Sequence, residues 1–300
     1  MRIVHSDRIP VNIFIFSRYN LKTKDFIRER LIFSFCCLGV FLFYSCAGGD
    51  QSANSMTTAD EATLDMNRAD SLADLAQAKL YREWNWDGIE QTFQQALELN
   101  PDLGRAHAHY GWYLNLMGRQ DEALGEMKRA MEVEPESPLW AAWYGWLHWY
   151  DGRNDEATEI QNNVLGQNPD FPVSLYVLGC LDAEAGRFEE AIAEHQRAGM
   201  VDSMWRFAIG HTYARAGDRE KALEVANALA EEGNTWDTWG LAEIYTALGE
   251  KDQAFSWLEA AYEQRHPYFP WIRQNKNLEP LFGDPRFTEL EQKLELPESR

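Results

Sequence analysis

A glycine recurs along this chain at positions 118, 152, 186, 217 and 249, in steps of 34, 34, 31 and 32 residues. Five residues after each stands an alanine: Ala123, Ala157, Ala191, Ala222 and Ala254. Prolines 101, 135 and 169 repeat at the same 34-residue spacing. Self-similarity at this period constrains the fold more than any other feature, because it marks stacked supersecondary units. Each residue type has a physical reason. Glycine accepts the left-handed backbone that ends a helix. Alanine lets two helices approach where a larger side chain would hold them apart. Proline cannot continue a helix and discourages helical geometry in the residue before it. Between these markers the apolar pattern has a helical period: Tyr110, Gly111 and Leu114 share one face. Tyr144, Gly145 and His148, then Leu178 and Gly179, take the same slots in the next two units.

These residues resemble the tetratricopeptide repeat, a helix–turn–helix unit of about 34 residues. The resemblance covers 69–266 as about six units. The first is degenerate in its first helix, although "WDGIEQTFQQALELNP" fits the second, and the fifth has "EEGNTW" in place of its terminating proline. The resemblance implies an all-α fold, a right-handed superhelical solenoid with a concave and a convex surface. The stretch "LGEKDQAFSWLEAAYEQRHPYFPWIRQNKNLEPLFGDPRFTELEQKLELP" resembles the closing segment of bacterial repeat arrays. Those arrays are often fused to winged-helix, nucleotide cyclase or TolB-like segments. No such module accompanies it here, so those signalling roles do not carry over. Residues 267–300 form a helical cap in this reading. Asp284 caps a last helix that starts at Pro285, and Phe287, Leu290 and Trp271 pack onto the sixth repeat.

"WAAWYGWLHWY", residues 140–150, carries tryptophans at 140, 143, 146 and 149. Residues three apart on a helix are rotated by roughly 60°, so four in series fan across about half the circumference. Tyr144 and His148 align with the positions that face the second helix of the unit, and Trp140 with the contact to the preceding unit. The resemblance places Trp143, Trp146, Trp149 and Tyr150 on the concave groove. Equivalent slots hold Trp112 and His109 in the second unit, Tyr176 and Cys180 in the fourth, Phe207 and His211 in the fifth, and Trp236 and Trp239 in the sixth. Such a groove can grip a peptide or an extended apolar ligand through ring stacking and cation–π contacts. The competing reading is that tight curvature packs these rings against one another.

The net charge is −20, and after the first 45 residues the balance is 21 basic against 45 acidic groups. This repels phosphate backbones and anionic headgroups, excludes nucleic acid as a natural partner and favours a neutral or basic protein segment. Residues 31–44, "LIFSFCCLGVFLFY", are too short to span a bilayer and follow Lys22, Lys24, Arg28 and Arg30. With "FYSCAGGDQSANS" after them, they resemble a bacterial lipoprotein signal. That implies a signal peptide over 1–45, lipidation at Cys46 and a flexible tether over 46–68. The array then faces the periplasm, held at the membrane only through this lipid or anchor, in the outer membrane.

No enzyme signature is present. His107 and His109 point about 200° apart on a helix and cannot share a metal. His195 falls in a packing slot, Cys180 reads as a small apolar residue, and no P-loop or nucleophile elbow occurs. No cofactor or metal site is expected. The sequence thus reads as a non-catalytic scaffold for protein–protein interaction in the cell envelope. A glycan- or small-ligand-binding lipoprotein and an enzyme accessory subunit are the alternatives.

Overall fold

Six helical hairpins follow one another without interruption in the computed structural model, which describes residues 58–297. The first pair is α1 (Thr58–Ala78) with α2 (Ile89–Leu99), and the second α3 (Gly104–Leu116) with α4 (Gln120–Val133). The third is α5 (Pro138–Tyr150) with α6 (Asn154–Gln167), and the fourth α7 (Pro172–Glu184) with α8 (Phe188–Val201). The fifth is α9 (Phe207–Arg215) with α10 (Arg219–Glu232), and the sixth α11 (Asp237–Ala247) with α12 (Lys251–Glu263). Each first helix also packs on its neighbours in the adjoining hairpins, giving an all-α solenoid.

The repeat markers act as their chemistry dictates. Gly118, Gly152, Gly186, Gly217 and Gly249 all have positive φ, between 74° and 84°. In the residue after each, the N–H reaches back to close the helix end, from Arg119 to the Leu114 carbonyl at 2.9 Å and from Glu250 to the Tyr245 carbonyl at 3.0 Å. This is the Schellman closure, which satisfies carbonyls left open at a helix end. α2, α4 and α6 each end two residues before Pro101, Pro135 and Pro169. In the fifth unit Gly233, at φ 62°, ends α10 in the proline's stead. The five alanines are fully buried. Close approach also requires glycine on the facing helix: a Cβ on Gly145 would lie 2.5 Å from Gln161 Nε2.

α1 begins at Thr58, inside the stretch read as a tether, and its side chains from 61 to 68 are all exposed. That first part buries little surface, so its helical geometry leans on backbone hydrogen bonding more than the rest of α1 does. The chain then widens into a π-helical turn, Lys79–Glu83, and leaves it through Trp84 at φ 47°. The signal segment and Cys46 lie outside the described residues. No helix among those described is long and apolar enough to cross a membrane.

Beyond α12 come two 3₁₀ turns, Phe269–Trp271 and Lys276–Leu281, and a last helix α13 (Pro285–Gln292). Asp284 caps α13 by accepting the Arg286 N–H at 3.1 Å. Phe287 and Leu290 join Phe255 and Leu258 of α12 in one apolar cluster. Trp84 of the first hairpin enters the same cluster, with its ring 5.4 Å from Phe269 and 5.6 Å from Tyr262. The Trp86 indole N–H donates to the Leu294 carbonyl at 2.7 Å, and Arg265 donates to the Glu83 carbonyl at 2.9 Å. The first unit of the array therefore meets the last.

Candidate functional site

The aromatic residues of the first helices lie against one another across neighbouring hairpins. On α5, Trp143 lies 5.3 Å from His109 and 5.9 Å from Trp112 of α3. Trp146, three residues on, turns toward Tyr176 of α7 at 5.3 Å and Trp205 at 6.0 Å. Trp149 is fully buried, and its N–H donates to Glu184 Oε1 at 2.7 Å. Tyr150, half-buried, sits 5.3 Å from Trp149 and 6.1 Å from Trp112. Tyr176 continues the row to Phe207 at 5.8 Å. His211 is buried beyond it, and burial together with Arg215 and His195 pulls its pKa down to about 3. Trp239 of α11 stacks on His266 with an interplanar angle of 8°. Trp140 instead donates to Glu134 Oε2 of the preceding unit at 2.7 Å, the contact its register implies.

Apart from Tyr150, the residues expected to line the groove are at most 8% exposed. Part of their cover is mutual and part comes from the chain's own segment 266–277, which runs along the inner face. Trp271, expected on the sixth repeat, reaches the first two hairpins instead. Its ring lies 5.5 Å from Tyr81 and 5.9 Å from Trp112, and its N–H donates to the Trp112 carbonyl at 3.2 Å. The physical reason is the 3₁₀ turn that carries it, which aims the indole into the array rather than along α12. Gln274 donates to the carbonyls of Asn115 (3.4 Å) and Leu116 (3.2 Å), at the end of α3.

The polar centre of this interior is Glu243 of α11, whose side chain is fully buried. Its Oε1 accepts from Asn275 Nδ2 at 2.7 Å, and its Oε2 from Asn277 Nδ2 at 2.8 Å. Burial pushes the carboxyl pKa up to about 7, against the downward pull of both amides and of Trp239. Between the two asparagines, Lys276 Nζ lies 3.7 Å from Glu184 and 5.8 Å from the Trp149 ring centre. Glu243 follows Trp239 by four residues and so shares its helical face, which made it findable by register. Asn275, Asn277, Trp205 and Tyr81 carry no repeat signal.

The fold brings His195 Nε2 within 3.8 Å of Cys180 Sγ, a neighbour the sequence did not show. The thiol is nevertheless buried and held well above its ordinary pKa by burial and by Glu243. His195, enclosed between the Tyr176 carbonyl and the Thr212 hydroxyl, is held down at about 4 by burial. A neutral thiol beside a neutral imidazole is not a reactive pair. His107 and His109 part company, one 2.6 Å from Glu126 and the other 3.0 Å from the Tyr81 hydroxyl.

No protein-family model and no curated protein matches the chain. Among solved structures, PilW, described as a type IV pilus biogenesis factor, shares 18% identity over 71% of this chain and 97% of its own, with a TM-score of 0.50. The fold is that of a tetratricopeptide-repeat protein. Pseudomonas aeruginosa PilF (15% identity, 76% of this chain, 99% of its own, TM-score 0.49) is also similar. So is a thermophilic tetratricopeptide-repeat protein of Thermus thermophilus (23%, 59%, 99%, 0.45). Tetratricopeptide-repeat proteins generally bind proteins or peptides and are typically non-catalytic.

Proposed function

We propose that this protein is a non-catalytic interaction scaffold of a bacterial cell envelope, whose aromatic concave surface receives an extended segment of a partner protein. The observation that supports it best is that this surface holds a polypeptide segment in cis. Residues 266–277 are gripped through a ring between rings and through donors to main-chain carbonyls of α3. These are the contacts a repeat groove offers to any extended chain. The signal-like residues 31–46 support export and lipid anchoring at Cys46, and the charge of −20 favours a neutral or basic partner. Stacking of sugars on the tryptophans has less support, since their faces are already covered by other rings.

Crosslinking in cells and affinity capture of the full-length chain tests this, beside Trp112→Ala. One envelope protein lost with the variant is expected, whereas equal recovery from both chains would move the contact off the concave surface. Membrane fractionation of Cys46→Ser tests the anchor: release of the chain from the membrane is expected, and unchanged retention would refute lipidation there.

A further inference from the structure

Three groups in the bound segment are read by three different means. Trp271 supplies a ring and one indole donor, seated between Tyr81 and Trp112. Four residues later Asn275 uses its side-chain oxygen to accept the Asn277 N–H at 3.0 Å, which leaves its own amide to donate to Glu243. Asn277 takes the other oxygen of that carboxylate. A carboxylate has only acceptors, so two amide donors complement it and two further carboxylates would not. Between them Lys276 meets Glu184 and the Trp149 face. The concave wall is thus acidic where the segment is basic or amide-bearing, and aromatic where it is aromatic.

We propose that segment 266–277 is an internal template for the partner. On the scaffold reading above, the partner segment carries an aromatic residue followed, four to six positions on, by a carboxamide–basic–carboxamide triplet, and it competes with the cis segment for this groove. Glu243 is then the specificity-determining residue, which excludes segments with acidic residues in the triplet. The cis segment imposes a threshold, because a tethered competitor acts at a high effective concentration.

The test uses the full-length chain and a labelled synthetic peptide of residues 266–282, read by fluorescence anisotropy. Asn275→Ala with Asn277→Ala in the protein loosens the cis segment, and Lys276→Ala does so more mildly if the double variant does not fold by circular dichroism. The loosened chain is expected to bind the peptide at least about tenfold tighter than wild type. A peptide with both asparagines changed to aspartate should lose about tenfold or more, because it sets carboxylates against a buried one. Adding Glu243→Gln to the loosened chain should restore much of that loss, which general repulsion from an acidic protein would not do. No binding to either loosened chain, equal binding to wild type, or indifference to the aspartates would each overturn the template. A cellular partner captured through Trp112 but unaffected by the peptide would leave the scaffold reading standing and the template refuted.

Discussion

The two ends of the concave segment are held by opposite kinds of force. At one end the Trp271 side chain is buried among rings and its indole donates a single hydrogen bond. At the other, Asn275 and Asn277 converge on a fully buried carboxylate. Apolar burial stabilises in proportion to area and is indifferent to fine register. A buried charge costs several kcal/mol to desolvate, so its hydrogen bonds largely offset that cost and instead penalise every arrangement that leaves it unpaired. The aromatic end therefore carries affinity and the amide end carries register. Each prediction below separates these two roles.

The largest effect is expected at the aromatic end. Trp271→Ala removes a ring from a packed site that joins the segment to the first two repeats, and should cost about 3–5 kcal/mol in urea unfolding. A cost below about 1 kcal/mol would mean that neighbouring rings collapse into the gap and that the anchor lies elsewhere.

At the amide end the expected signature is a dependence on pH. The Glu243 carboxyl is raised to about 7 in the folded state against an ordinary value of 4.5. A raised folded pKa means the folded chain holds the proton longer, so the contribution is complete below pH 4.5 and is lost as pH rises through about 7. Glu243→Gln cannot titrate, so relative to wild type it should gain up to about 3 kcal/mol between pH 5 and pH 8. Its amide–amide mismatch with Asn277 adds a constant that does not alter this slope. His109, His211 and His266, held near 3, and His195, near 4, push the opposite way: each makes the fold less stable as pH falls below about 6.5. The comparison at matched pH cancels them. Parallel curves for the two proteins would show that Glu243 is not buried as a titrating acid.

A third substitution touches neither end. Ala157 is fully buried where α5 meets α6, and Ala157→Leu should overpack that contact by about 1–3 kcal/mol. Its calorimetric effect should be independent of pH over about 5–8, since no titrating group is changed. A neutral result would displace the repeat register and, with it, the inward placement of Trp146 and Trp149.

The repeats were legible because their markers are local. The glycine that ends α3 and the residue after it close on the carbonyls of Asn115 and Leu114, so the effect is written beside its cause. The inward fan of Trp143, Trp146 and Trp149 also follows from a period of about 3.6. The cover over those rings was not legible. Trp271 contacts Trp112 across 159 residues, through a 3₁₀ turn that belongs to no repeat, and local pattern cannot report such a pairing. Asn275 and Asn277 are short polar residues of the capping segment, outside the periodic region, where no repeat register assigns them a partner. Only Glu243 could have been suspected, as a carboxylate one turn beyond Trp239 on an apolar face.

The smallest effect concerns the joint between α12 and the segment. Arg265 sits at φ 54°, with its guanidinium 4.7 Å over the Trp84 ring and one donor on the Glu83 carbonyl. Arg265→Ala should lose about 1 kcal/mol, the sum expected of an exposed cation–π contact and a weak hydrogen bond. Arg265→Gly loses the same contacts but relieves the left-handed strain, worth roughly 1 kcal/mol, while adding unfolded-state entropy of similar size. The two variants should therefore unfold within about 0.5 kcal/mol of each other. If glycine proves distinctly the more stable, the joint stores strain that favours release of the segment. If alanine does, the joint is relaxed as it stands, and occupancy of the groove is governed by the two anchors alone.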